Sequence, residues 1–297
     1  MSGEYNEVSY ITKKIKSNFP IYWVQIFGIV DQGVFAPNGM RISKNNKEEI
    51  KMVKKLIAKW ERDIRDYHES FIPLFDLDMF DDYNDEKYEF QEFKDIFAKE
   101  LWTVRGALRS FDPDLDLYKS KFHHTPGEDI FNTVRDILTE TNDYMKNVAK
   151  KVDFKRVKSI CDLRLDYLDE NSMFLPGIIG LGIRSELLHR VHPSQFSIMT
   201  RRSGWAMYYL TDECDEFVID EEFDGKHRTS FFWEYEYDRF SLYCNLIFNL
   251  LEEKLKKYDI SLNPKYRFGY VNLFLNEIFT KHKEQASFLN KWRLVRA

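Results

Sequence analysis

The segment Phe174–Leu210 holds the residues whose types and spacing are best suited to a defined chemistry. Its glycines allow positive φ and let a ligand approach the backbone closely. A helix beginning near the last of them would point free N–H groups and its positive dipole end at an anion. Nearby arginines would add charge-assisted contacts. One interpretation is a helix pair that serves only the core; the alternative is phosphate binding by Gly177, Gly180, Gly182, Arg184, Arg201 and Arg202.

The same segment resembles a helix-hairpin-helix element. That family's hairpin has Leu-Pro-Gly-Val-Gly followed by a small residue and two leucines, and this chain has Leu175-Pro176-Gly177-Ile178, then Ser185, Leu187 and Leu188. One extra residue separates Gly177 from Gly180. The catalytic Asp that DNA glycosylases commonly place after the hairpin has no counterpart in 198–202. The resemblance implies a DNA-binding module at 175–202 that lacks glycosylase chemistry.

Two nuclease interpretations compete with this one. Arg184 and His189 match the R-x4-H pattern of HEPN ribonucleases, in which an Arg and a His on one helix act on the RNA phosphate. Asp82 with Glu92 and Lys94 forms a degenerate restriction-nuclease signature, although Lys94 lies in a helical pattern where a strand is needed. Neither pattern is complete, and HExxH, Walker A and calcium-loop spacings are missing. We expect no catalytic residues, no metal and no cofactor.

Two acidic tracts, 75–92 and 212–224, form the other candidate site. Carboxylates with aromatic residues between them can imitate a phosphate backbone and dock on a basic groove. In the first tract eight acidic residues accompany a single lysine. The predicted partner-binding acidic surface consists of Asp76, Asp78, Asp81, Asp82, Asp85 and Glu86.

A long amphipathic helix is predicted over Asn45–Phe71. Its apolar residues recur at spacings of three and four, which places them on one stripe. They are Ile50, Val53, Ile57, Trp60, Ile64 and Tyr67. The opposite face is basic, and it suits phosphate or an acidic partner as well as plain solvation. Its residues are Lys47, Lys51, Lys54, Lys55, Lys59, Arg62 and Arg65.

The remaining pattern indicates an α+β protein, mainly helical, with short β-hairpins near the N-terminus and around 215–233. The aromatic and β-branched residues of Phe19–Val30 favour a strand that returns through Val34–Ala36. Further helices are predicted at 86–108, 130–148, 154–168, 240–255 and 271–279. A polar stretch at 110–127 separates an N-terminal region, 1–115, from a C-terminal helical region, 125–297.

Composition limits the class of protein. The 297 residues include 44 basic and 49 acidic ones, for a net charge of −5, so a strongly basic binder is excluded. An apolar content of 43% predicts a packed core. Three cysteines without a CxxC pair indicate a reducing compartment, hence a cytoplasmic location in a bacterium or infected host cell. Polar residues at 1–7 and the lack of a long apolar run predict neither a signal peptide nor a membrane span.

Size and a composition rich in Lys, Asn, Asp, Phe and Tyr resemble those of phage-encoded inhibitors of bacterial defence systems, such as anti-Gabija proteins. That resemblance implies a non-enzymatic interaction protein that forms a homo-oligomer. Its partner would be a bacterial protein complex that handles nucleic acid, which it would bind and block. Direct DNA contact through 175–202 is the first alternative, and a nuclease is the second.

Overall fold

The computed structural model describes residues 2–28, 47–81, 87–165, 174–214, 217, 222–223, 228–229 and 237–296. This part of the chain is mainly helical, as predicted. Its α-helices are α1 Ser2–Phe27, α2 Lys47–Phe71, α3 Leu77–Asp81, α4 Lys87–Glu100, α5 Trp102–Arg109, α6 Asp116–His124, α7 Gly127–Asn147, α8 Ile160–Leu163, α9 Leu181–Val191, α10 Arg201–Leu210, α11 Tyr237–Lys256 and α12 Arg267–Arg296.

The predicted N-terminal strand is wrong, because Phe19–Phe27 belongs to helix α1. Phe19, Tyr22, Trp23 and Phe27 continue a helical pattern that begins earlier, at Ile11 and Ile15, and all six of these side chains are buried. Trp23 stacks on Phe27 at a centroid distance of 4.2 Å. Packing of this stripe outweighs the strand propensity of its aromatic and β-branched residues. The proposed return strand lies outside the described residues.

Helix α2 confirms the prediction made from its periodicity. Val53, Ile57, Trp60 and Ile64 are buried along one side. The helices predicted near 86–108, 130–148, 240–255 and 271–279 are also present, although the first is divided at Leu101 into α4 and α5. Long segments with a clear 3.6-residue period are therefore where sequence and structure agree.

The helix predicted over 154–168 is largely wrong. Asp153 instead stabilises a turn, in which its carboxylate accepts the N–H of Lys155 at 3.1 Å. Within 154–165, the described part of this range, only the short α-helix α8 forms, and a reciprocal capping box of Ser159 and Asp162 starts it. Short polar side chains that bond to nearby backbone groups compete with helix formation in this way.

Helix α9 lies at the centre of the molecule, in contact with α2, α5 and α7. Around it the buried apolar residues form one cluster that draws on residues from Ile11 to Ala286. The division into regions 1–115 and 125–297 stays a prediction.

Two short strands pair antiparallel, β1 Glu222–Phe223 with β2 Arg228–Thr229. This pairing is too short to establish the hairpin predicted around 215–233, and most of that range lies outside the described residues. In the part of the chain that the structure describes, no helix is long and apolar enough to cross a bilayer.

Candidate functional site

The glycine-containing segment forms a tight turn at the entrance to α9. Ile179 N–H donates to the carbonyl of Leu175 at 2.8 Å, and Leu175 N–H donates back at 3.1 Å. Gly177 has φ +77°, a conformation that side-chain-bearing residues rarely adopt. Gly177 and Gly180 are exposed, and Gly180 is the N-cap of α9. This turn brings exposed backbone and a helix N-terminus to one surface point. We call residues 175–180 the glycine turn.

A cation that the sequence analysis missed lies beside this turn. A Cβ atom added to Gly177 would lie 2.9 Å from Nζ of Lys121, on helix α6. Lys121 is exposed, and no carboxylate among the described residues forms a salt bridge with it. Sequence reasoning had no signal for this proximity, because α6 and the turn are far apart along the chain.

Arg184 does not share this surface. Its side chain is 1% exposed, and its guanidinium lies 4.2 Å from the ring centre of Phe174. A phosphate could reach it only if the neighbouring core moved. The predicted arginine of the phosphate site is therefore a core residue in this structure, while Gly182 is only half-buried.

Two other charged residues of α9 bind the ends of neighbouring helices. The buried carboxylate of Glu186 accepts the N–H groups of Trp102 at 2.7 Å and Thr103 at 2.8 Å, at the N-terminus of α5. Arg190, one turn later, donates to the carbonyl of Glu100 at the C-terminus of α4. Each charge has the sign that the adjoining helix dipole favours. This pair thus fixes the α4–α5 junction from both sides.

Aromatic and hydroxyl groups of α2 complete this network. Tyr67 donates its hydroxyl to Glu186 at 3.0 Å. The guanidinium of Arg190 lies 3.4 Å from the ring centre of Tyr67 and 4.0 Å from that of Phe71. Burial and the negative charge of Glu186 raise the pKa of the Tyr67 hydroxyl. These charges are engaged inside the protein and are unavailable to a ligand.

His189 is buried and its Nδ1 bonds to the carbonyl oxygen of Phe196 at 2.7 Å. Burial lowers the pKa of its imidazole to about 4, and it does the same for His192. A HEPN nuclease needs its Arg and His to meet an RNA phosphate. Here both candidates, Arg184 and His189, are enclosed by the core, so this geometry offers no support for that chemistry.

Lys94 of the nuclease signature is also part of the packing. Its Nζ donates to the carbonyl of Thr125 at 2.7 Å and to that of His123 at 3.1 Å, at the end of α6. Glu92 is exposed on α4, and Asp82 lies outside the described residues. Within the described ranges, no three His, Cys, Asp or Glu side chains are grouped as metal ligands would be.

Arg201 and Arg202 do lie at the surface, in the first turn of α10. Thr200 precedes them as the N-cap and forms a reciprocal capping box with Ser203. Of the three arginines in the predicted phosphate site, Arg201 and Arg202 are therefore exposed, whereas Arg184 is buried.

The acidic surface is only partly described. Asp76 and Asp78 are exposed beside helix α3, while Phe75 and Phe80 of the same tract are buried. Among the described residues of this tract, Phe75 and Phe80 belong to the core, while Asp76 and Asp78 face solvent. The side chain of Asp81 and the whole of Asp82, Asp85 and Glu86 lie outside the described residues.

The outer side of α2 forms the most extended basic surface of a described helix. It carries no acidic residue from Ile50 to Trp60. None of its cations between these residues has a salt-bridge partner among the described side chains. We call the following exposed residues the α2 basic face: Lys51, Lys54, Lys55, Lys59 and Arg62.

A second basic segment, 146–158, is also exposed, and Phe154 holds it on the core. Asn245 donates to the carbonyl of Phe154 at 3.0 Å, and Arg267 covers its ring at 4.0 Å from the centre. Arg156 pairs with Asp153 at 3.3 Å. The exposed lysines of this segment are Lys146, Lys150, Lys151, Lys155 and Lys158.

Comparison of the chain with protein-family models, with curated proteins and with solved structures found no match.

Proposed function

We propose that this protein binds nucleic acid through the phosphate backbone and that the α2 basic face is the main contact. The observation that carries the proposal is the row of five exposed cations over Lys51–Arg62, with no carboxylate between Ile50 and Trp60. At 1.5 Å per residue the row is about 16 Å long, enough to follow several phosphates of one strand.

The charge distribution supports an oriented approach. The whole chain carries a net charge of −5, so its net charge does not attract a polyanion. A basic face on such a molecule directs a nucleic acid to one side. Contacts of this kind release counterions and carry no base specificity, so we expect salt-sensitive binding that tolerates many sequences.

The glycine turn is the second candidate contact. Lys121 beside Gly177 gives its exposed backbone a neighbouring positive charge. Arg201 and Arg202 supply two more exposed cations after α9. In this form of the proposal, segment 175–202 contacts phosphate as a helix-hairpin-helix element would. Arg184 then supports the segment by packing in the core.

Binding to a protein complex that handles nucleic acid is a separate candidate function. It is favoured by the exposed carboxylates of Asp76 and Asp78, which a basic groove would attract. An inhibitor of a phage-defence nuclease would be one such protein. Failure to bind duplex DNA, together with a defined oligomer, would favour this candidate.

The test is binding of a short fluorescently labelled DNA duplex, followed by anisotropy. The variant Lys51→Gln/Lys55→Gln/Lys59→Gln removes three charges from the α2 basic face and preserves helix propensity. The control Lys257→Gln/Lys281→Gln/Lys283→Gln removes three exposed charges elsewhere. We expect about a tenfold or greater loss of affinity for the α2 variant and less than about threefold for the control.

A third variant separates the two contacts. Gly180→Val has open space for its side chain, so it should fold. If Gly180→Val or Arg201→Gln/Arg202→Gln abolishes binding while the α2 variant binds normally, the phosphate contact belongs to the glycine turn. If the wild type shows no salt-sensitive binding, the nucleic-acid proposal fails.

A further inference from the structure

The connection between α5 and α6 presents an aromatic side chain entirely to solvent. Phe111 is 100% exposed, and Leu117, at the start of α6, is 49% exposed. Scattered apolar side chains are ordinary on protein surfaces. A fully exposed phenyl group is the kind of anchor that fills a pocket on a partner.

The backbone on both sides of Phe111 is fixed. Ser110 Oγ accepts the N–H of Asp112 at 3.1 Å. Asp112 in turn accepts the N–H of Asp114 at 3.1 Å, which begins the 3-10 turn Pro113–Leu115. An anchor held in place before binding loses less conformational entropy when it docks.

The charges around Phe111 define what would fit it. Asp112 and Asp114 lie within 111–115, which contains no basic residue, although Arg109 precedes it at the end of α5. Asp116 is already paired with Lys119 at 2.7 Å. A matching surface therefore combines an exposed apolar group with several cations.

The α2 basic face has this combination. Met52 is 69% exposed there, with Lys55 and Lys59 one and two turns further along the same side. A thioether packs favourably against an aromatic ring, and an ammonium group binds its face. Phe111 and Met52 do not meet within one chain, because Phe111 is fully exposed.

We propose that Phe111 of one copy docks on Met52 and the α2 basic face of a second copy. Because the two surfaces differ, the contact is head-to-tail, and the assembly keeps one free Phe111 and one free α2 basic face at its two ends until a ring closes. The net negative charge of 111–116 faces the lysines across the contact. This assembly goes beyond the proposed function: it uses Phe111, which has no part in phosphate binding, and it competes with nucleic acid for the α2 basic face.

Light scattering of the purified full chain at low salt tests the contact. The wild type should have a concentration-dependent mass above that of the monomer, and about 200 mM salt should lower it. Phe111→Ser and Lys51→Gln/Lys55→Gln/Lys59→Gln should each be monomeric. Tyr10→Ser, which removes another exposed aromatic group, and the triple lysine control should assemble like the wild type.

Mixing the two defective variants gives the decisive result. Phe111→Ser keeps the α2 basic face, and the α2 variant keeps Phe111, so an equal mixture should form a dimer that cannot extend. A monomeric wild type, a Phe111→Ser protein that assembles normally, or a mixture that stays monomeric would each overturn the proposal. Phe111→Ser should bind DNA at least as tightly as the wild type, because Phe111 of another copy no longer occupies the α2 basic face. Failure of this contact is therefore distinguishable from failure of the proposed function.

Discussion

Helix α9 and the outer side of α2 both carry several charged residues in a short stretch, but the charged side chains of α9 are buried and those of α2 are exposed. On α9, Arg184, Glu186 and Arg190 are buried, and the last two bind backbone groups at helix ends. On α2, five cations are exposed and have no carboxylate partner among the described residues. One set of charges stabilises the fold, and the other is available to a ligand.

The difference shows that the packing around a helix decides whether its charged side chains are buried or exposed. The charges of α2 occupy the arc opposite a complete apolar stripe, so solvent is their only environment. The charges of α9 are surrounded by helices on several sides, and each must find a partner because unpaired burial is costly. On α2, the apolar stripe on one side of the helix thus leaves the charged cluster on the other side exposed as a candidate binding surface.

The largest effect should come from Glu186→Ala. It leaves two helix N–H groups and the Tyr67 hydroxyl without their acceptor, close to buried Arg190. We expect a loss of about 3 kcal/mol in the free energy of unfolding, measured by urea denaturation. Glu253→Ala, at an exposed position of α11, is the control and should change it by less than about 0.5 kcal/mol. A loss as small as the control's would show that α9 charges do not stabilise the fold.

The second largest effect should be a dependence of the free energy of unfolding on pH. Burial lowers the folded-state pKa of His189 from 6.5 to about 4. The unfolded state therefore binds more protons between these values, and this contribution to stability is complete above pH 6.5 and lost as the pH falls towards 4.

The variant His189→Asn removes that titration and keeps a donor for the carbonyl of Phe196. Between pH 7 and pH 5 the wild type should lose about 2 kcal/mol more stability than the variant. Denaturation curves at the two pH values measure this difference. Parallel losses would mean that His189 is accessible to protons in the folded protein.

The inner side of α2 is packed closely against α12, so a larger side chain at Gly269 should lower the stability of the protein. A Cβ at Gly269, in α12, would lie 2.7 Å from Cγ2 of Ile64. Gly269→Ala should cost about 1 kcal/mol, because the packed side chain must shift. Gly106→Ala, with nothing within 4 Å in helix α5, should instead gain about 0.5–1 kcal/mol. Equal responses in thermal unfolding would contradict the tight packing of α2 on α12.

The smallest effect on stability should come from the outer side of α2. Lys51→Gln/Lys55→Gln/Lys59→Gln should change the free energy of unfolding by less than about 0.5 kcal/mol, since these three side chains are exposed. The same variant should lose nucleic-acid affinity. A large destabilisation would place these lysines among the structural charges, with those of α9.

Local periodicity made much of the fold predictable. The apolar stripes of α2 and α7 and the turn at Gly177 follow from neighbouring residues. Helix α1 was mistaken for a strand because the pattern was read from Phe19 onwards, without Ile11 and Ile15.

The burial of Arg184 and the role of Glu186 were not predictable from local sequence. Glu186 accepts hydrogen bonds from the N–H groups of Trp102 and Thr103, which are distant along the chain. No residue next to Glu186 in the sequence indicates these partners. The proximity of Lys121 to Gly177 depends on tertiary packing in the same way.

The most direct test of the account is the salt dependence of duplex-DNA binding between about 50 and about 200 mM salt. The slope of log Kobs against log salt counts the phosphates that the protein neutralises. For Lys51→Gln/Lys55→Gln/Lys59→Gln it should be shallower than the wild-type slope by about 2–3, while the Lys257, Lys281 and Lys283 control keeps the wild-type slope. An unchanged slope for the α2 variant would contradict the assignment of its basic face to phosphate binding.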